Sequence, residues 1–237
     1  MSKILKAMRK ASGTGESFEF RLATADQVNL FPSPDSKQMA EFEQLTNSLI
    51  SYHDGITGQV AVFASAVSGE GTSFVSYNVA RHMSVMLDRK VAWLDGNFRS
   101  PQRQLPDEGV NFRQLLEYPD CFLDMVVSGN LTLIPNGHQK IKTTDLLSSE
   151  NYGKLIDYLR DNFYFTIIDA PPILESVDVA HMTAGTLGLV LVVESRRLKY
   201  EVIQHGIDIL ETHKVNVLGA VLNKRTFDIP KFLYNRL

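Results

Sequence analysis

Val60-Ala61-Val62-Phe63-Ala64, then Ser68-Gly69-Glu70-Gly71-Thr72-Ser73, then Phe74 to Leu87: an apolar run, a glycine-rich loop and a helix-like stretch follow one another closely. Strand, glycine loop and helix in that order are the context a phosphate-binding loop requires. Gly69 and Gly71 carry no Cβ, so backbone amides can close around phosphate oxygens. The helix N-terminus that follows adds a partial positive charge. Ser73 stands where a hydroxyl binds Mg²⁺ in such loops. The lysine expected after the second glycine is absent, and Thr72 takes its place. Taken alone, the segment reads equally as a glycine turn joining a strand to a helix.

Outward from this loop, apolar segments alternate with helix-like ones. Lys90 to Asp95, Leu131 to Pro135, Phe163 to Asp169, Gly188 to Glu194 and Val217 to Asn223 read as strands. Lys37 to Ile50, Asn111 to Glu117, Asn151 to Asp161, Asp178 to Ala184 and Lys199 to His213 read as helices. Near-continuous apolar strands separated by helices predict an α/β fold, with a mostly parallel twisted sheet covered on both faces. Ligands of such sheets sit beyond the carboxyl ends of the strands. Ser68 to Ser73, Asp95, Asp169 and Asn223 all fall there. A carboxylate ending an apolar strand can orient Mg²⁺ directly or through water, or position a nucleophile. One such residue would be an ordinary turn cap. Two beside a glycine loop, Asp95 and Asp169, point to function.

The chain has 237 residues, 44% of them hydrophobic and 22% charged, with a net charge of −3. That charge predicts no bulk attraction to nucleic acid. Cys121 is the one cysteine, which excludes an internal disulfide and fits a reducing cytoplasm. The longest apolar run, Leu187 to Val193, is of strand length, far below a membrane span. Met1 to Ser12 lacks the apolar stretch of a secretory signal. Met1 to Ala11 reads as a basic helix, able to dock on an anionic membrane surface or to stay solvated. Ser12 to Ser36 is rich in Gly, Ser, Pro and Asp and reads as a linker. The expected division is therefore residues 1–36 as helix and linker, and 37–237 as one P-loop NTPase-like domain. The six histidines show no metal-ligand spacing.

Further motifs make a resemblance specific. They are Tyr77-Asn78-Val79-Ala80, Val91 to Pro101, Leu133-Ile134-Pro135-Asn136-Gly137, Asp145-Leu146-Leu147-Ser148-Ser149-Glu150, Phe165 to Ile173 with its Asp169-Ala170-Pro171-Pro172, and Val217 to Asn223. With the loop, they resemble in order the cytoplasmic domain of the bacterial tyrosine kinases (BY-kinases) of capsule and exopolysaccharide systems, within the MinD/ParA-like group of P-loop proteins. The likeness covers about residues 37 to 225. It implies that the backbone from Ser68 to Ser73 cradles the phosphates of ATP or ADP. It implies a Mg²⁺ environment of Ser73, Asp95 and Asp169. Asn223 either contacts the base or simply closes its strand, and Arg99 either contacts phosphate or is a solvated loop residue.

The departures from the family pattern are equally specific. Thr72 replaces the lysine, and Asn97 replaces the second aspartate of the acidic motif. The family's assembly helix carries a glutamate and two arginines at three-residue spacing. Here the matching positions are Ala40, Glu43 and Thr46, or Glu41, Gln44 and Asn47. The C-terminal tyrosine cluster is missing, with Tyr234 the last tyrosine. A cation from elsewhere, Lys224 or Lys90, has no motif support. Losing one preorganised donor costs roughly 10²–10³-fold in rate, so losing cation and carboxylate together predicts lost autokinase activity on a retained fold. Such a protein would be a cytoplasmic component of exopolysaccharide synthesis or export with a weak or vestigial nucleotide site. It would sit peripherally at the inner membrane against a polysaccharide co-polymerase. An active tyrosine autokinase and a MinD/ParA-like positioning ATPase, anchored by Ile229 to Leu237, are the competing expectations.

Overall fold

Consecutive residues of the loop-bearing strand belong to two different cores, and that alternation organises the molecule. A computed structural model describes residues 20–21, 23–24, 30–53, 55–100, 110–118, 125–126, 129–137 and 143–225. The strands are β1 Phe20–Arg21, β2 Ala23–Thr24, β3 Gln59–Ser65, β4 Val91–Asp95, β5 Met125–Val126, β6 Leu131–Ile134, β7 Phe165–Asp169, β8 Gly188–Glu194 and β9 Val217–Asn223. Seven of them form one sheet in the order β2-β6-β4-β7-β3-β8-β9. All its pairings are parallel except the edge pairing of β2 with β6. β1 and β5 form a separate parallel pair. The α/β, P-loop-type reading of the sequence holds.

Side chains alternate across a strand, so β3 sends Val60, Val62 and Ala64 to one face and Ala61 and Phe63 to the other. On the first face they pack with Leu94, Ile168 and Leu191 and with buried residues of helices Phe112–Glu117, Glu150–Asn162 and Tyr200–Thr212. On the second, Ala61, Phe63, Trp93 and Ile167 meet Phe42 and Leu49 of helix Ser36–Ile50 and Val75, Val79 and Met83 of helix Thr72–Leu87. Trp93 is fully buried, and its indole Nε1–H donates to Ser76 Oγ at 3.0 Å. This ties β4 to the helix behind the loop.

Most elements match the sequence reading to within two residues. Two features do not. The helix Thr143–Leu147 is too short to show a period. The two-residue strands carry too few side chains to alternate, and Ala23–Thr24 lies in the stretch read as linker. Within that tolerance, the helix Ser36–Ile50 starts one residue early because Asp35 caps it, its Oδ1 accepting from the amides of Lys37 and Gln38 at 2.9 and 2.8 Å. Gln38 completes the capping box by accepting from the Asp35 amide at 3.0 Å. Asp35→Ala is expected to cost about 1 kcal/mol, read as a fall of roughly 2–4 °C in melting temperature. The N-terminal helix expected at residues 1–11, Cys121, Tyr234 and the tail expected at residues 229–237 lie outside the described residues.

Candidate functional site

The parallel register brings the carboxyl ends of five strands together. Asp95 of β4 is the Cα partner of Asp169 of β7, and Asp169 is in turn the partner of Phe63 of β3. Beyond β3 the chain turns into the glycine loop and enters helix Thr72–Leu87 at Gly71. On the other side, Glu194 of β8 pairs with Asn223 of β9. Strand-end register alone thus places the loop between an acidic pair and an Asn–Glu pair.

Asp95 and Asp169 are each 1% exposed. Asp95 Oδ1 accepts from the Asn97 amide at 3.1 Å. Neither carboxylate oxygen of Asp169 has a donor in hydrogen-bonding geometry. Burial pushes the Asp169 carboxyl well above the ordinary carboxylate range, and the neighbouring Asp95 pushes it the same way. The nearby hydroxyls of Ser73 and Ser76 oppose that shift and are outweighed. Thr72 is 8% exposed, and its Oγ1 is also buried without a partner. The position that lacks lysine therefore holds a neutral hydroxyl at the start of the helix, and no cation there offsets the acidic pair.

Buried carboxylate oxygens lacking donors, with Ser73 beside them, suit Mg²⁺. That hard cation takes one or two carboxylates and completes its shell with water and phosphate oxygens. Asp95, Asp169 and Ser73 would hold it, and it would neutralise charge on a bound polyphosphate. The loop amides suit the phosphates themselves. Among the described residues no group of three or more His, Cys, Asp or Glu side chains forms a metal cluster.

The outer side of the loop is braced by Glu70 and Asn223, by Lys224, for which the sequence offered no motif support, and by Glu175, Glu194 and Arg197, which the sequence reading did not single out. Glu70 is fully buried, its Oε2 accepting from the Val67 amide and its Oε1 from the Glu194 amide, both at 3.0 Å. Glu175, carried past the loop by the Pro171-Pro172 segment, accepts from the Ser68 amide at 3.0 Å. An Arg197 guanidinium N–H donates to Ser68 O at 2.7 Å, and Lys224 Nζ to Gly69 O at 2.9 Å. Both cations also hold Glu194 Oε2, each at 3.0 Å. They keep the Glu194 carboxyl below its ordinary value, Lys224 most strongly. Asn223 donates from Nδ2 to Glu70 O at 2.8 Å. A Cβ on Gly71, whose φ is +92°, would lie 2.2 Å from that amide nitrogen. Glycine there is required twice over. Asn223 thus lies against the loop, one of its amide N–H groups on Glu70 O and its Oδ1 accepting from the Lys224 amide.

The other candidates resolve similarly. Asn97 Oδ1 accepts from the Ser100 amide at 3.0 Å, so this replacement for an aspartate caps a turn. Arg99 is exposed. Lys90 lies at the amino ends of the strands, its carbonyl bonded to the Tyr164 amide, whereas Lys224 touches the loop. Thr46 points into the core, while Ala40 and Glu43 are exposed. The Asp145-to-Glu150 motif marks a helix junction. There Thr143 and Thr144 donate to the two Asp178 carboxylate oxygens at 2.5 and 2.8 Å. The strand-end position of Glu194 was the one readable signal for the brace. Glu175, Arg197 and Lys224 had none.

No family model matches the chain. The tyrosine-protein kinase CpsD of Streptococcus agalactiae is 32% identical over 94 residues, 40% of this chain and 41% of that protein's length. CapB of Staphylococcus aureus is 25% identical over 213 residues, 87% of this chain and 92% of CapB. The succinoglycan biosynthesis transport protein ExoP of Rhizobium meliloti is 25% identical over 183 residues, 72% of this chain and 23% of ExoP. Among solved structures, the chimerical protein CapA2B2 superposes with a TM-score of 0.73 at 22% identity, covering 94% of this chain and 99% of that one. A ParA family ATPase from Chlorobium tepidum gives 0.54 at 16% identity, over 70% and 74%. These likenesses carry the fold.

Proposed function

We propose that this chain, a homologue of the BY-kinase domains of capsule and exopolysaccharide systems, is a catalytically silent member of that group. It works in exopolysaccharide synthesis or export by contact rather than by phosphoryl transfer. One observation carries the reading. The helix position that should present a lysine to the phosphates presents the buried, uncharged Thr72, while the buried Asp169 carboxyl at the neighbouring strand end has no cation or hydrogen-bond partner among the described residues. Phosphoryl transfer depends on positioning and on charge stabilisation, and here the principal cation is missing. Asn97, spent on a turn, removes the second acidic group. Of the exposed tyrosines, Tyr200 is 71% exposed but donates its hydroxyl to Gln204 in its own helix.

The contact partner proposed is an inner-membrane polysaccharide co-polymerase, met at the cytoplasmic face. No helix among the described residues is long and apolar enough to cross a membrane. The test is a phosphotyrosine blot of the purified protein after incubation with ATP and Mg²⁺. No signal above the zero-time control is expected. Robust autophosphorylation would overturn the reading in favour of an active autokinase. A pull-down with the cytoplasmic segments of the cognate co-polymerase checks the contact.

A further inference from the structure

We infer that Arg197, Lys224 and Asn223 form a clamp on the carbonyl side of the glycine loop that turns three consecutive amides towards a bound phosphate and supplies, from behind, the positive charge missing at Thr72. The inference rests on the reading of this loop as a nucleotide site and deepens it. The ligand class is the phosphate group of a nucleoside di- or triphosphate.

Ser68 O is held by Arg197, Gly69 O by Lys224 and Glu70 O by Asn223, so three successive carbonyls point outward to three donors. No peptide bond among the described residues is cis, and in a trans peptide the N–H points opposite to the C=O. The amides of Gly69, Glu70 and Gly71 are therefore turned to the inner side. None of them donates to a protein acceptor among the described residues. Gly69 and Gly71 have φ of +86° and +92°, and Glu70 between them does not have positive φ. Backbone alternating in hand this way converges successive amides into an anion-binding concavity. The helix N-terminus lies directly behind it.

Two further observations point to a ligand there. Thr72 Oγ1, in the residue that follows the loop, and both carboxylate oxygens of Asp169, the β7 residue paired with Phe63 of the loop-bearing strand, are more than nine-tenths buried and have no partner in hydrogen-bonding geometry. The first is a donor for phosphate oxygen, and the second is a seat for the accompanying cation. The clamp also has its own control element. Glu194 bridges Lys224 and Arg197 and masks part of their charge. A unit charge held one peptide unit from a bound phosphate changes affinity by roughly 3- to 30-fold. The lysine deleted at Thr72 is thus replaced in part by cations acting through the peptide groups. Arg197 and Lys224 are positioning residues in this sense, not phosphate ligands.

The experiment is calorimetric titration of the full chain with Mg-ADP, with the melting temperature of each variant measured alongside. Lys224→Gln keeps a donor for the Gly69 carbonyl but removes the charge, and is expected to weaken binding by at least about 3-fold. Lys224→Arg keeps the charge and is expected to stay within about twofold. Glu194→Gln keeps its hydrogen-bonding capacity, unmasks the cations and is expected to tighten binding by a similar factor. A damaged fold cannot imitate that gain. Equal affinity for wild type and Lys224→Gln overturns the inference, as does weaker or unchanged binding in Glu194→Gln. No Mg-ADP binding by the wild type overturns it too, and leaves the contact-only function standing. A phosphotyrosine signal overturns that function without touching the clamp.

Discussion

Replacing Asp169 by asparagine is expected to raise the melting temperature of the ligand-free protein by roughly 2–16 °C, from ~1–4 kcal/mol of relieved burial and repulsion. The carboxylate is 1% exposed, faces Asp95 across paired strands, and has no hydrogen-bond donor for either oxygen. A carboxyl placed there costs stability at neutral pH, whether it keeps an unpaired charge or takes up a proton to lose it. An amide of the same shape removes the charge without opening a cavity. The pH dependence carries the same signature. The Asp169 value is raised in the folded protein, so the folded state holds a proton that the unfolded state releases. Its favourable contribution is complete below the unfolded value of about 4 and is lost as pH rises through the folded value. Acidification from neutrality should therefore stabilise the wild type first. Below that window the trend reverses, because carboxylates such as Glu194, held low by Lys224, lose their pairing. Asp169→Asn should lack the initial rise. Thermal melts at several pH values with chelator present test both statements. A variant no more stable than the wild type would mean that burial and the neighbouring Asp95 impose no penalty on Asp169 in the folded protein. Mg²⁺ should stabilise the wild type more as pH rises, because metal and proton compete for the same oxygens.

Thr72→Lys should tighten Mg-ADP binding by roughly 10- to 100-fold, since a hydrogen bond to a charged group is worth ~1.5–3 kcal/mol. Thr72 lies at the first position of the helix, with its side chain unpartnered at the loop. An ammonium there would meet phosphate from the inner side, whereas Lys224 and Arg197 stay on the carbonyl side. The same ammonium would relieve the Asp95–Asp169 repulsion. Thr72→Lys and Asp169→Asn should therefore be non-additive in stability, as neighbours sharing one electrostatic defect are. The phosphotyrosine blot should stay blank, because Asn97 remains committed to its turn. Unchanged affinity in Thr72→Lys would mean that the site already has its full cation complement. A variant that phosphorylates itself would reduce the silent state to one residue.

The relation between sequence and site is uneven for identifiable reasons. Asp95, Asp169 and Asn223 were legible because each ends an apolar strand and a parallel sheet collects such ends on one side. Thr72 was legible because the loop fixes the residue that follows its second glycine. The brace was not. Arg197 and Lys224 lie 129 and 155 positions from the carbonyls they hold. Lys224 reaches its partner from a residue at φ +53°, and the residue before Arg197 has φ +63°. Neither periodicity nor motif spacing records where such turns send a long side chain. Glu175 reaches Ser68 through the path of a proline-containing segment after β7, which pattern reading does not follow.

By itself the sequence determined the α/β layering, the loop between β3 and its helix, and the absence of a lysine at Thr72. Hydrophobic period and residue identity are local properties, and they fix those features before any packing is known. The tertiary structure alone decided what surrounds the loop. It set Asp169 beside Asp95 without a donor, turned Asn97 and Asn223 to bracing, and brought Arg197 and Lys224 to the carbonyl side. Those relations join residues far apart in the chain, and only the register of β7, β8 and β9 against β3 and β4 brings them within hydrogen-bond reach.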